Sequence, residues 1–293
     1  MRLPPAAAIY APSESDTAMH PELTDIPETM LWTLHNRAHE AARADGCITD
    51  SKCLEIYRAI DYDYQAHFGR ADGSHGVRSM LFDRQISRFI KEHPDAVIVN
   101  LGEGLETQRY RIDSPGTLWV SVDLPAGIDI RERFIAPDER HLHVARNALD
   151  TTWFDAVPDG RPVFIAAQGL FMYFTTVEVA ALMRSMARRF PGATVMFDYI
   201  GRFLSKRTLS EKGWMKTDTY RTPPMPWGVY RNELQPLLSA WLGQQVPVHN
   251  VTFELPRGPG KWSVLFIEKY LPQLANKLPG VCWLQLPEAD PAS

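Results

Sequence analysis

Five residues, Val97-Ile98-Val99-Asn100-Leu101, run directly into Gly102-Glu103-Gly104. A segment this short, apolar and rich in β-branched side chains reads as a strand buried on both faces. A parallel sheet lying between helical layers requires such strands. Glycine permits backbone conformations closed to other residues and carries no Cβ, so a ligand can lie against the chain at that bend. At the carboxyl edge of a parallel sheet, such a turn is where α/β folds receive nucleoside cofactors. Alone, Gly-x-Gly is equally compatible with a plain tight turn.

The next apolar run, Leu118 to Asp123, ends in an acid 19 residues after Gly104. A carboxylate there is placed to accept hydrogen bonds from both hydroxyls of a ribose. Asp-x-Pro also starts helices, so a capping role competes; the paired glycine bend favours the ribose. Further strands are read at His143–Arg146, Val163–Ala167 and Thr194–Asp198. Between the last two, Thr175-x-x-Glu178 forms a capping box. The helix it opens has Val179, Leu182, Met183, Met186, Ala187 and Phe190 on one face. This alternation predicts an α/β fold, a Rossmann-like, doubly wound sheet with right-handed crossovers.

The residues ahead of Val97 read as helical. A first helix is expected from Pro27, with Asp25 as its cap and Gly46 at its stop. A second spans Ser51–Ile60. A third spans Arg78–His93 and is ended by Pro94. Beyond residue 200 the chain suggests a helix over 233–242, a strand over 246–255, a helix over 262–275 and a last strand over 281–285. The organisation expected is a mobile leader (1–20), a helical cap (21–95) and one continuous core (96–293).

Composition narrows the function classes. Hydrophobic residues at 45% and charged residues at 23% fit a globular chain rather than a disordered one. A net charge of −4, with no basic cluster beyond Arg184, Arg188 and Arg189, argues against a nucleic-acid partner. Three cysteines with no Cys-x-x-Cys pair argue against a disulfide scaffold and fit a reducing, cytoplasmic setting. No apolar stretch reaches the roughly 18 residues of a membrane span, and the first residues lack the apolar core of a signal peptide. His141-x-His143 has no acid or cysteine at ligand spacing, so no metal site is expected. Neither a Gly-x-Ser-x-Gly elbow nor a phosphate-binding Walker loop occurs.

The bend itself bears on the cofactor. Dinucleotide loops need Gly-x-Gly-x-x-Gly with a pyrophosphate on the helix N-terminus. Here Thr107 stands at the third glycine position, and Glu103 and Glu106 flank the loop. Carboxylates repel a pyrophosphate, whereas a sulfonium is cationic. This favours S-adenosylmethionine over NAD.

Several motifs together resemble the bacterial branch of the leucine carboxyl methyltransferase family: Ile26-Pro27-Glu28-Thr29, Arg37-Ala38-x-Glu40, Ile60-Asp61-Tyr62-Asp63-Tyr64, Leu101-Gly102-x-Gly104-Leu105-Glu106-Thr107, Val122-Asp123-Leu124-Pro125 and Gln168-Gly169-Leu170-Phe171-Met172-Tyr173-Phe174. The resemblance implies a class I methyltransferase sheet of seven strands, the last antiparallel. It implies that Gly102 and Gly104 line the methionine and ribose of S-adenosylmethionine, that Asp123 holds the ribose, and that Arg78 pairs with the cofactor carboxylate. It sets Asn147 and Ala148 beside the adenine and puts Gln168 where the family has a glutamate. Asn100, Asn147 and Gln168 are amides where the family carries acids. Tyr173 follows the fourth strand, either facing the acceptor or packed in the core, with packing favoured. Trp227, in Thr222-Pro223-Pro224-Met225-Pro226-Trp227-Gly228, is a candidate wall of the acceptor pocket or a structural residue. Tyr57, Tyr62 and Tyr64 fall in the segment that covers the site in this family, where packing is their favoured role.

The activity so implied is O-methyl transfer to a carboxylate or hydroxyl of a small acceptor, polyketide-like by resemblance only. No catalytic side chain stands out, since the cofactor supplies the reactivity and the protein supplies alignment. Two other readings stay open: an NAD-type oxidoreductase on the same sheet, and a catalytically silent relic that binds cofactor, suggested by the three amides.

Overall fold

The computed structural model describes residues 25–288 apart from 252, 254 and 256; the leader expected over 1–20 lies outside them. Helix α1 (Asp25–Ala41) buries Met30, Leu31, Leu34 and Ala38, four positions on one helical stripe. It already includes Asp25, so that residue is not its cap, and it ends before Gly46. Helix α2 (Ser51–Ala59) is capped by Asp50, whose carboxylate accepts from the Cys53 N–H. A single turn, α3 (Tyr64–Phe68), follows under an Asp63 cap. Helix α4 (Ser74–Glu92) starts a turn earlier than the Arg78 expected, because its first turn has little of the apolar periodicity that marks the rest. Leu31, Leu34, Ile56, Tyr64 and Phe68 form one cluster that reaches Leu105, Ile130 and Ile135 beyond the first strand. By contrast, Val77, Phe82, Ile86 and Ile90 of α4 pack on Ile98, Trp119 and Phe164.

The sheet comprises β1 (Val97–Leu101), β2 (Leu118–Asp123), β3 (His141–Ala145), β4 (Val163–Ala167), β5 (Thr194–Tyr199), β6 (Val248–Val251) and β7 (Gly280–Gln285). Their order is β3-β2-β1-β4-β5-β7-β6. The first five run parallel, and β7 is antiparallel to both of its neighbours. This is the seven-stranded class I arrangement with the last strand reversed. β1 and β4 are buried throughout, as strands between two helical layers must be. Strand β3 starts at His141 rather than His143, and β6 is shorter than the alternation of apolar residues over 246–255 suggested.

The connecting helices are α5 (Pro125–Glu132), α6 (Thr176–Arg189), α7 (Arg202–Thr208), α8 (Arg231–Leu242), α9 (Gly258–Tyr270) and α10 (Pro272–Ala275). The single helix expected over 262–275 is two, because Pro272 cannot continue the ladder of the first. Helix α6 has the expected capping box. The Glu178 N–H donates to Thr175 Oγ1 at 3.3 Å, and Glu178 Oε2 accepts from the Thr175 N–H at 2.7 Å. Thr175→Ala should cost about 1 kcal/mol; a denaturant melt whose midpoint does not move would show that this cap carries no stability.

Strand order reverses between β1 and β4. Open α/β sheets bind ligands in the crevice at such a reversal, outside the carboxyl ends of the strands. None of the described helices is long and apolar enough to cross a membrane.

Candidate active site

The glycine bend and Asp123 meet. Register pairs Leu101 with Val122, so the chain leaving β1 turns beside the end of β2. Gly102 and Gly104 have φ of +63° and +53°, a region that strains side-chain-bearing residues. A Cβ on Gly104 would stand 3.0 Å from Met30 Cβ, and one on Gly102 would stand 2.8 Å from Leu170. Asp123 Oδ2 accepts from the Gly104 N–H at 2.6 Å, and Oδ1 accepts from the Leu124 N–H at 2.7 Å. Burial raises the Asp123 pKa, opposed by these two N–H bonds and by Arg131.

Over the β1/β4 reversal opens a cavity of about 590 Å³, within the range of small-molecule sites. Arg78, Gly102, Gly104, Asp123, Asn147, Ala148, Gln168 and Tyr173 all line it. Trp227 does not. It is 2% exposed, and its ring meets Phe171, Phe197 and Trp241 at 6.3, 5.9 and 6.4 Å. The proline-rich loop is tied down by Trp227 N–H to Met172 O and Val229 N–H to Ile200 O, which carries the indole into the core. Met225, from the same loop, is what reaches the cavity. Met172, Ile200 and Met225, with Tyr173 and Leu204, form an apolar cluster at that end. Burial pushes the Tyr173 hydroxyl up to about 12.

The two loop acids are not free charges. Glu106 is ion-paired with Arg37 at 2.6 Å and Arg111 at 2.7 Å, and it also accepts from Ser79 and Gln168. Burial opposes its ionisation, but Arg111 and Arg37 outweigh burial and hold it well below the usual carboxylate range. Glu103 sits 3.2 Å from Arg131 and accepts from Asn100. Both acids are compensated by buried arginines, so their charge does not by itself exclude a pyrophosphate from this loop.

Arg78 Nη1 donates to Asp198 Oδ2 at 2.9 Å, and the Gly169 N–H donates to Asp198 Oδ1 at 2.5 Å. Four polar atoms of residues lining this end lack a hydrogen-bond partner while buried: Arg78 Nε, Asn100 Oδ1, Glu103 Oε2 and Gln168 Oε1. Unpaired buried groups are costly and call for a ligand or water. Three acceptors and a guanidinium beside one glycine bend suit the ammonium and carboxylate of an amino-acid moiety. Asn147 is exposed, and its Oδ1 already accepts from the Leu149 N–H at 2.9 Å.

Sequence reasoning missed Asp198, Met30, Trp32, His75 and Lys216, all of which line the cavity. Asp198 was within reach, since it is an acid next to the last residue of β5, much as Asp123 ends β2. His75 lies one turn before Arg78 on α4, on the same face. Trp32 and Lys216 come from separate segments and share no local signature.

This sheet order, the glycine bend braced on an acid and the adjoining cavity define a class I methyltransferase, with S-adenosylmethionine as its cofactor. The chain belongs to the leucine carboxyl methyltransferase family, which matches residues 36–187. It is 32% identical over 181 residues to the tetracenomycin polyketide synthesis O-methyltransferase TcmP of Streptomyces glaucescens; the match covers 61% of this chain and 67% of that protein. It is 27% identical over 186 residues to the S-adenosyl-L-methionine-dependent methyltransferase dpfgK of Gibberella zeae, covering 57% of this chain and 62% of that protein, less than two thirds of its length. Family membership sets the NAD-type reading aside.

Proposed function

We propose that this protein is an O-methyltransferase that esterifies the carboxylate of a small aromatic, polyketide-like acceptor. One observation carries the choice of a carboxylate: the acids and the imidazole that line the cavity among the described residues already have partners. Asp123 holds two backbone N–H groups, Asp198 holds Arg78, Glu103 meets Arg131, and Glu106 meets two arginines. Asp72 accepts from the Ser74 N–H, and His75 Nδ1 bonds the Asn36 amide. Glu103 Oε2 is unpartnered, but it lies with the atoms that suit the cofactor's ammonium; no other cavity acid is left to take a proton from a phenol of pKa about 10, whereas a carboxylic acid of pKa about 4 is already ionised at neutral pH.

In this reading Asp123 accepts from the ribose, the Gly102–Gly104 bend lets the nucleoside approach the backbone, and Asn147 and Ala148 flank the adenine. Arg78 receives the cofactor carboxylate, with Gln168 beside it. Bound S-adenosylmethionine supplies an electrophilic methyl group. Tyr173, Met172, Ile200 and Met225 hold the acceptor at the apolar end and keep water away. The chain's own contribution is alignment of the two reactants, which can be worth several kcal/mol, up to about 7–11. The name of the Streptomyces relative, which places it in polyketide synthesis, supports a polyketide-like acceptor.

The test is incubation with methyl-labelled S-adenosylmethionine and a panel of aromatic carboxylic acids. The expected product releases labelled methanol at mildly alkaline pH, as an ester does. A base-stable labelled product would assign a hydroxyl acceptor instead. Cofactor binding without transfer to any member would favour a catalytically silent protein.

A further inference from the structure

One corner of the cavity is rich in hydrogen-bond donors. Trp32 of α1, His75 of α4 and Lys216, from the loop after α7, all line it. Lys216 Nζ lies 5.0 Å from the centroid of the Trp32 ring, and the His75 ring meets the same indole edge-on at 5.4 Å. No acidic side chain pairs with Lys216 among the described residues, and the Trp32 indole N–H is buried without an acceptor.

The proton on His75 is fixed by its neighbours. The Asp72 N–H donates to Asn36 Oδ1 at 3.2 Å, which orients the Asn36 amide. Asn36 Nδ2 then donates to His75 Nδ1 at 2.8 Å. Nδ1 is therefore the acceptor nitrogen, and Nε2 carries the hydrogen. Burial, reinforced by Arg78, Arg37 and Lys216, keeps this imidazole neutral, well below its ordinary pKa. His75 is thus a second N–H donor rather than a base. Asp72, the acid nearest in sequence, is occupied by the Ser74 N–H and hydroxyl.

Lys216 over the face of Trp32, the indole N–H in the plane of that ring and the neutral His75 imidazole edge-on to it make this corner rich in donors and poor in acceptors. A neutral acceptor would leave the ammonium uncompensated there; an oxyanion satisfies all three. We propose that Lys216, His75 and Trp32 form an anion-receiving corner that recognises the carboxylate of an aromatic acid, with Lys216 as the specificity-determining residue. This rests on the methyltransferase reading above, because it takes this part of the cavity as the acceptor's.

The experiment measures binding to the S-adenosylhomocysteine complex by calorimetry, with anthracene carboxylate and its uncharged carboxamide as probes. The wild-type protein is expected to bind the carboxylate roughly tenfold or more tightly than the carboxamide, the scale of one hydrogen-bonded charge. Lys216→Met should abolish that preference and leave the affinities for the carboxamide and for S-adenosylhomocysteine unchanged, while Lys216→Arg should retain the preference. Equal binding of the two probes by the wild type, or binding of neither, overturns the proposal. So does a Lys216→Met loss that falls on S-adenosylhomocysteine but not on methylthioadenosine, which lacks the amino-acid carboxylate, since Lys216 would then serve the cofactor. Failure of the wild type to bind S-adenosylhomocysteine at all would instead overturn the methyltransferase reading, and this proposal with it.

Discussion

Asp123→Ala is expected to weaken binding of S-adenosylhomocysteine by about a hundredfold or more, measured by calorimetry. A hydrogen bond to a charged acceptor is worth roughly 1.5–3 kcal/mol, and two ribose hydroxyls on one carboxylate reach that factor together. The same carboxylate braces the loop, because its oxygens hold the N–H groups of Gly104 and Leu124 at 2.6 and 2.7 Å. Removing it costs the ligand its acceptor and the bend its anchor at once. Asp123→Asn should fall between, since the amide keeps one acceptor oxygen but presents an NH2 where the second N–H must bind. An alanine variant that binds the nucleoside as the wild type does would remove Asp123 from the site.

Glu106→Ala is expected to give the largest loss of stability, roughly 3 kcal/mol by denaturant titration. Arg37 and Arg111 have side chains only 1% and 5% exposed, and Glu106 is 9% exposed between them. Truncating the acid leaves two buried cations short of a counter-charge. Arg111 keeps Asp50 and Asp83, and Arg37 keeps the Leu105 carbonyl, which holds the loss near the lower end for broken buried pairs. The pH dependence has a definite sign. Burial works against the charged form, but Arg111 and Arg37 depress the folded-state pKa of Glu106. Its contribution is therefore complete above the unfolded value of about 4.3 and is lost as pH falls toward the folded value. Glu106→Gln should flatten the stability profile below about pH 4. An unchanged acid slope would mean that other carboxylates dominate acid unfolding.

The network ties the helices before β1 to the loop that follows the glycine bend. Arg37 sits on α1, Ser79 on α4, and Glu106 follows the glycine bend; Gln168, at the end of β4, donates to Glu106 at 2.8 Å. The helices before β1 thus meet this loop through buried ion pairs and hydrogen bonds as well as through the apolar cluster that reaches Leu105 and Ile130.

What the sequence revealed follows the range of each interaction. Buried parallel strands announce themselves by continuous apolar runs, so β1, β2, β4 and β5 were legible to within a residue or so. The glycine bend and Asp123 were legible because strand, turn and acid lie close together in sequence. Helix limits were less so. Asp25 and Gly46 carry the right chemistry for caps, yet α1 already includes Asp25 and ends at Ala41, short of Gly46, and α4 conceals a turn that lacks the apolar stripe. Trp227 looked like a pocket wall because it sits in a stiff loop; backbone hydrogen bonds that no local pattern announces turn it inward. The compensation of Glu106 needs arginines 69 residues before it and 5 after it in sequence, and the corner formed by Trp32, His75 and Lys216 draws on three distant segments. Contacts of that kind exist only once the chain has folded.

A crystal structure of the S-adenosylhomocysteine complex bears most directly on all of this. Density for the adenosyl group should lie over Gly102–Gly104, with both ribose hydroxyls on Asp123, the purine beside Ala148 and the amino-acid carboxylate on Arg78. A nucleoside bound elsewhere, with Asp123 still engaged only by Gly104 and Leu124, would contradict it.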